Sequence, residues 1–145
     1  MAVVTIPGAP PAGFTATSLT SVSLDPPVVS FCAALTNSCW PALRITTHVA
    51  VNLLREDQIE VARNFATPGI DRFALPRWRP GAFATPLLEG VLGWLECEVF
   101  EHVVAGSQAI VLVRPLRVHI GEGLPLLYHQ GRYTALARSP EHAGG

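Results

Sequence analysis

The chain is short of charge. Only 14% of its 145 residues are Asp, Glu, Lys or Arg, and ten cations against eleven anions leave a formal charge of −1. So small a balance gives no electrostatic case for a nucleic acid or an anionic membrane as partner. Cysteine is scarce too. Cys32, Cys39 and Cys97 are odd in number and contain no Cys-x-x-Cys pair, which argues against a zinc site and for reduced thiols in a cytoplasmic protein. No uninterrupted apolar run approaches the roughly 20 residues that a spanning helix needs. Met1 leads directly into Ala-Val-Val-Thr-Ile with no basic segment before it, unlike a secretory signal.

What remains is a greasy, turn-rich chain. Apolar residues make up 49%, with 13 prolines and 12 glycines spread along the length. That composition predicts one β-rich domain with many corners. Long apolar strands with little charge also predict that a second subunit covers part of the surface.

Residues 2–6 read as a short β-branched strand, reversed by Pro7-Gly8-Ala9-Pro10-Pro11 and answered by a strand from Gly13. Residues 28–33 read as a buried strand and 49–54 as another. Two long strands follow, 91–102 and 109–120; Pro115 lacks an N–H and requires an edge or a bulge. In the first of these, Trp94, Glu96, Glu98 and Phe100 share a face. The two carboxylates do not have the opposed geometry of a glycosidase pair, and they are expected in solvent or at a subunit interface. Pro41 suits the first turn of a short helix. Residues 57–66 form the clearest helix, with Ile59, Ala62, Phe65 and Ala66 on one face and Thr67-Pro68-Gly69 as its stop. Two short helices among so many strands favour a small closed barrel over a sandwich. The small polar tail, 138–145, is expected to be disordered.

Three segments could carry chemistry. Gly13-Phe-Thr-Ala-Thr-Ser-Leu-Thr-Ser-Val-Ser-Leu-Asp-Pro-Pro27 holds six hydroxyls between Thr15 and Ser23. Hydroxyls and backbone N–H groups this dense can surround a phosphate, although a Thr-rich edge strand reads the same way. Asn37-Ser38-Cys39-Trp40-Pro41 places free amides at a helix entrance, which favours an anion or is an ordinary cap. Asp71-Arg72-Phe73 offers a guanidinium fork for an oxyanion, and spacing alone balances that against a surface arginine.

The Gly13–Pro27 phrase closely resembles the start of the flavin reductase-like, FMN-binding split-barrel family. Members read Gly-hydrophobic-Thr-Ala-Asn-Ser-Phe-Thr-Ser-Val-Ser-Leu-Asp-Pro-Pro there. Ala50-Val-Asn-Leu-Leu54, Pro86-Leu-Leu-Glu-Gly90 and Leu126–Tyr133 are also family-like, so the resemblance runs from Ala2 to about Leu136 and marks 1–137 as one domain. It implies a mainly β (α+β) fold: a small closed Greek-key split β-barrel with two or so short helices, here without the relatives' usual N-terminal helix. The function implied is an NAD(P)H:flavin oxidoreductase, a flavin reductase. It would bind FMN or FAD, use NADH or NADPH as co-substrate, form a homodimer and supply reduced flavin to a two-component monooxygenase.

By the same resemblance Ala16, Thr17, Ser18, Leu19, Thr20 and Ser23 wrap the flavin, with Thr17 standing where many relatives have Asn. Asn37, Ser38 and Cys39 form a second phosphate-contacting loop, and Arg72 and Phe73 approach the phosphate side. The nicotinamide side departs from the family: its Gly-Asp-His is Gly106-Ser107-Gln108 here, and Val113 replaces a usual glycine. Tyr128, His129, Gly131 and Tyr133 complete the nicotinamide-side candidates. Flavin and nicotinamide carry hydride chemistry themselves, so no side chain is assigned as catalytic and no metal is expected. Ser107 and Gln108 also motivate an alternative, a flavin-binding barrel without efficient NAD(P)H turnover. A partner subunit that binds no flavin is a third reading.

Overall fold

Strand β1 (Ala2–Ile6) is buried at all five positions, because both of its faces are covered. Ala2, Val4 and Ile6 point into the barrel, while Val3 joins a second core outside it. The alternation expected of a half-buried strand is therefore absent. The structure, a computed structural model, describes residues 1–137. The tail expected to be disordered, with His142, lies outside the described residues.

Beside β1 lie β2 (Ala12–Ala16) and β5 (His48–Leu53), both antiparallel to it. Beyond β5 come β8 (Gly93–Ala105), β9 (Gln108–Ile120), β4 (Pro27–Ala34) and β3 (Thr20–Leu24), giving the sheet order β2-β1-β5-β8-β9-β4-β3. The hydrogen-bond ladder ends at β2 and β3. Across that split the sheet closes by packing, with Phe14 of β2 against Phe31 of β4 at 6.2 Å between ring centres. This is the small split barrel that the sequence implied.

The outer core lies under helix α2 (Ile59–Ala66), hairpin β6–β7 (Trp78–Pro80, Pro86–Leu88) and hairpin β10–β11 (Leu126–His129, Arg132–Ala135). A Cβ at Gly13 would stand 2.8 Å from Phe65 Cε1 and 3.1 Å from the Val4 carbonyl. Glycine there lets α2 close onto β2. The helix begins at Ile59 rather than Asp57, because residues 55–58 form a turn closed by the Gln58 N–H on the Arg55 carbonyl at 3.0 Å and Gln58 is the N-cap. Ala62 and Phe65 are its buried residues, whereas Ala66, placed on the same face by periodicity, is exposed. The other helix, α1 (Trp40–Ile45), carries Pro41 in its first turn as expected.

Two further expectations need correction. Residues 28–33 are not a wholly buried strand: only Phe31 and Ala33 of β4 are buried, since its outer neighbour is the exposed edge strand β3. Glu96 and Glu98 are not both in solvent. They do share a face of β8, pairing in unbroken register with Ala50 and His48 of β5, but Glu96 is fully buried beneath residues 82–85 while Glu98 is exposed. The β8–β9 register slips between Glu96, opposite Arg117, and Cys97, opposite Pro115, which makes Leu116 the extra residue and sets Pro115 beside a bulge, where its missing N–H is tolerated.

One buried polar group ties the two layers together. Asn52 donates to the Val3 carbonyl and to Thr5 Oγ1, both at 3.1 Å, and its Oδ1 accepts the Leu88 N–H at 3.0 Å. Thr5 in turn donates to the Pro86 carbonyl at 2.6 Å. Substitution Asn52→Ala leaves several of these groups buried and unpaired, so urea denaturation should show a loss of about 3 kcal/mol.

Candidate flavin site

The hydroxyl-rich segment bridges β2 and β3. Ala16 is buried at the end of β2, Thr17 is exposed, and Ser18 and Leu19 are half-buried. The Cys32 N–H donates to Ser18 Oγ at 2.8 Å, which pins the segment to β4. Thr20 Oγ1 donates to the Ser18 carbonyl at 3.2 Å, and Ser23 lies just past a β-bulge in β3. Ser18 thus has a structural bond to make, while its own hydroxyl proton remains free to donate.

The second loop leaves β4 and enters α1. The Asn37 side chain folds back so that its Oδ1 accepts the Cys39 N–H at 2.8 Å, taking one of the amides expected to face an anion. Cys39 is the N-cap and is buried, with its thiol donating to the Gly13 carbonyl at 3.2 Å. Ser38 stays exposed.

Arg72 joins these parts. Its Nη1 donates to the Gly13 carbonyl at 2.7 Å and approaches Cys39 Sγ at 3.7 Å, and its Nε donates to the Thr67 carbonyl at 3.1 Å. Nη2 has no acceptor among the described residues, so the fork is held rigidly with one nitrogen still to satisfy. Two cavities share Arg72 and Ser38 in their walls. One, of about 480 Å³, runs along Ala12, Gly13, Cys39 and residues 69–73. The other, of about 380 Å³, is lined by Phe14, Thr15, Thr36, Asn37, Phe65 and Pro68. Phe73 lines the first cavity and packs edge-on against Phe65, 5.1 Å between centres.

The donor set suits a phosphate. A fixed cation, exposed hydroxyls at Ser38 and Thr36, and no carboxylate in the smaller cavity would receive an oxyanion without repulsion. Asp71 faces only the larger cavity, where its Oδ1 accepts the Phe73 N–H at 3.1 Å.

The nicotinamide-side candidates fall in two places. Gly106 and Ser107 form the tip of the β8–β9 hairpin, with Gly106 at φ +62° and the Leu35 N–H donating to the Ser107 carbonyl at 3.0 Å; Gln108 then begins β9 opposite Ala34. Tyr128, His129, Gly131 and Tyr133 belong to hairpin β10–β11, whose turn residues Gln130 and Gly131 both have positive φ. Tyr128 and His129 line a cavity of about 370 Å³ together with Thr17. This hairpin therefore meets the hydroxyl segment. Burial, then the neighbouring Tyr128, raise the Tyr133 phenol against the opposing effect of Arg63, so it stays protonated near neutrality.

Thr36, Phe14 and the Pro10-Pro11 corner were missed by sequence reasoning. The proline pair read only as a chain reversal, and nothing in its composition marked it as a cavity wall. Among the described residues no His, Cys, Asp and Glu cluster could hold a metal ion, and all three cysteines are free thiols. No helix among them is long and apolar enough to cross a membrane.

The class that the fold defines is a small split β-barrel, here with one arginine lining two cavities. The chain belongs to the flavin reductase-like domain family, whose model matches residues 1–137. It is 36% identical over 129 residues to the reductase component of the flavin-dependent trigonelline monooxygenase of Acinetobacter baylyi, covering 89% of this chain and 42% of that protein. It is 39% identical over 132 residues to an NADH:FMN oxidoreductase of Rhodococcus qingshengii, covering 87% of this chain and 69% of the relative. Among solved structures, an NADH:FAD oxidoreductase of Streptomyces globisporus in complex with NAD and FAD fragments superimposes with a TM-score of 0.88 at 31% identity, over 96% of this chain and 86% of that one.

Proposed function

We propose that this chain is an NAD(P)H-dependent flavin reductase that binds FMN or FAD and supplies reduced flavin to a flavin-dependent monooxygenase. The observation that carries this reading is Arg72, held by the Gly13 and Thr67 carbonyls and lining two cavities. Arg72 and Ser38 hold the flavin phosphate, Asn37 shapes the loop beside it, and Thr17, Ser18 and Leu19 border the ring. When bound, flavin and nicotinamide supply the hydride transfer between them. The residues of this chain bind and orient; Tyr128 and His129 cover the ring end and limit access of water. Family membership speaks against the reading without turnover, so the altered Gly106-Ser107-Gln108 tip counts as a tolerated variant.

A homodimer in the cytoplasm completes the proposal. Leu24 is 87% exposed and Ile120 81%, and Val22, Leu116 and Val118 stand exposed with them on β3 and β9, an apolar surface that a second subunit would cover.

Anaerobic mixing of the protein with FMN or FAD and then NADH tests the activity. Flavin absorbance should bleach well above the protein-free rate. A perturbed flavin spectrum without faster bleaching would return the function to flavin binding alone.

A further inference from the structure

We infer that the preferred flavin is the dinucleotide FAD, with its adenylate half in the 480 Å³ cavity beyond Arg72; this rests on the flavin-binding reading above. Strand β2 orders the parts. Residues advance about 3.3 Å along a strand, and the sequence of contacts is Ala12 and Gly13 at the larger cavity, then Phe14 and Thr15 at the smaller one, then Thr17 in the hydroxyl segment. The Arg72 guanidinium sits on the Gly13 carbonyl, and Arg72 lines both cavities. A flavin ring against the Thr17 end, with its phosphate at Arg72, uses the smaller cavity and ends at the guanidinium. The larger cavity shares Arg72 and Ser38 with the smaller one and continues along Gly13, Ala12 and residues 69–73.

A mononucleotide leaves that larger space to water. A dinucleotide carries a second phosphate past Arg72 and brings a nucleoside with it. The cavity falls within the roughly 300–1,000 Å³ typical of small-molecule sites, and its walls suit adenosine. Pro10, Pro11 and Ile70 offer uncharged apolar surface, and Phe73 adds an aromatic ring. The Asp71 carboxylate repels a terminal phosphate but accepts a hydrogen bond from a ribose hydroxyl or the adenine amino group. That carboxylate makes this the nucleoside side of Arg72.

The test is a pair of titrations, FAD and FMN separately, followed by flavin fluorescence on the intact protein and on Ile70→Asn. FAD should bind about tenfold tighter than FMN, and Ile70→Asn should shrink that ratio several-fold while leaving FMN affinity unchanged. Equal affinities for the two flavins in the unaltered protein would overturn the inference and leave the flavin-binding reading standing. A preference for FAD that survives unchanged in both Ile70→Asn and Pro11→Ser would overturn the assignment of the cavity. Failure to bind either flavin would remove the underlying reading and the inference together.

Discussion

Substitution Glu96→Gln should cost about 3 kcal/mol of stability, although it exchanges one atom for another of similar size. The Glu96 carboxylate is fully buried, and four donors converge on it. The Ala82 and Phe83 N–H groups donate at 3.1 Å each, Thr85 Oγ1 donates at 2.7 Å, and Arg117 closes the set from the surface. An amide has one acceptor oxygen for all of these, and its NH2 would face donors. Removing the charge also strips Arg117 of its partner; because Arg117 is half-exposed, water can take over there, which keeps the loss at the lower end for buried pairs. For a domain of this size the midpoint of thermal unfolding should fall by roughly 10 °C.

The same residue sets an acid sensitivity. Burial by itself raises the Glu96 carboxyl, but hydrogen bonds from Thr85, Phe83, Ala82 and Arg117 together hold it below its ordinary value of 4.5. A carboxylate depressed in the folded state stabilises fully above its unfolded value. That stabilisation is lost as pH falls from about 4.5 through the lower folded value. The unaltered protein and Glu96→Gln should therefore differ most above pH 4.5 and converge in stability below it. A constant gap down to strongly acid pH would mean that the carboxylate charge is not what holds residues 81–85 in place. Burial, with the charge of Glu96, also pushes the adjacent Cys97 thiol up to about 12, so Cys97 stays protonated and chemically quiet.

Glu96 also marks a limit of what the residues disclose. Strands β1, β2, β5, β8 and β9 and helix α2 were legible because β-branched composition, periodicity or turn residues mark each of them locally. The burial of Glu96 was not, because alternation names its face but not what covers that face, and the donors come from residues 82–85 and 117, distant in sequence. No pattern within one strand announces a partner of that kind. At Gly81 any Cβ would collide with the Glu96 carboxylate, but a single glycine does not disclose what it makes room for. Similarly, Arg72 was legible as a phosphate-binding candidate through its family-like Asp-Arg-Phe run. Its bond to the Gly13 carbonyl, 59 residues away, and the two cavities that flank it became visible only in the fold.

Arg72→Ala should raise the dissociation constant for FMN by about ten- to a hundredfold, the worth of one or two charge-assisted hydrogen bonds. Because Arg72 also braces Gly13 and Thr67, a weakened affinity alone would not separate ligand contact from local collapse. Riboflavin separates them. It carries the same ring and ribityl chain without the phosphate, so its affinity should change little in Arg72→Ala if the guanidinium meets the phosphate. Equal losses for riboflavin and FMN would assign Arg72 to bracing the loop rather than to the ligand. Arg72→Lys adds a further distinction: a point charge keeps part of the attraction but cannot bridge Gly13, Thr67 and an oxyanion together. Its FMN affinity should fall between the other two proteins, with a steeper dependence on salt because the ammonium is less firmly held.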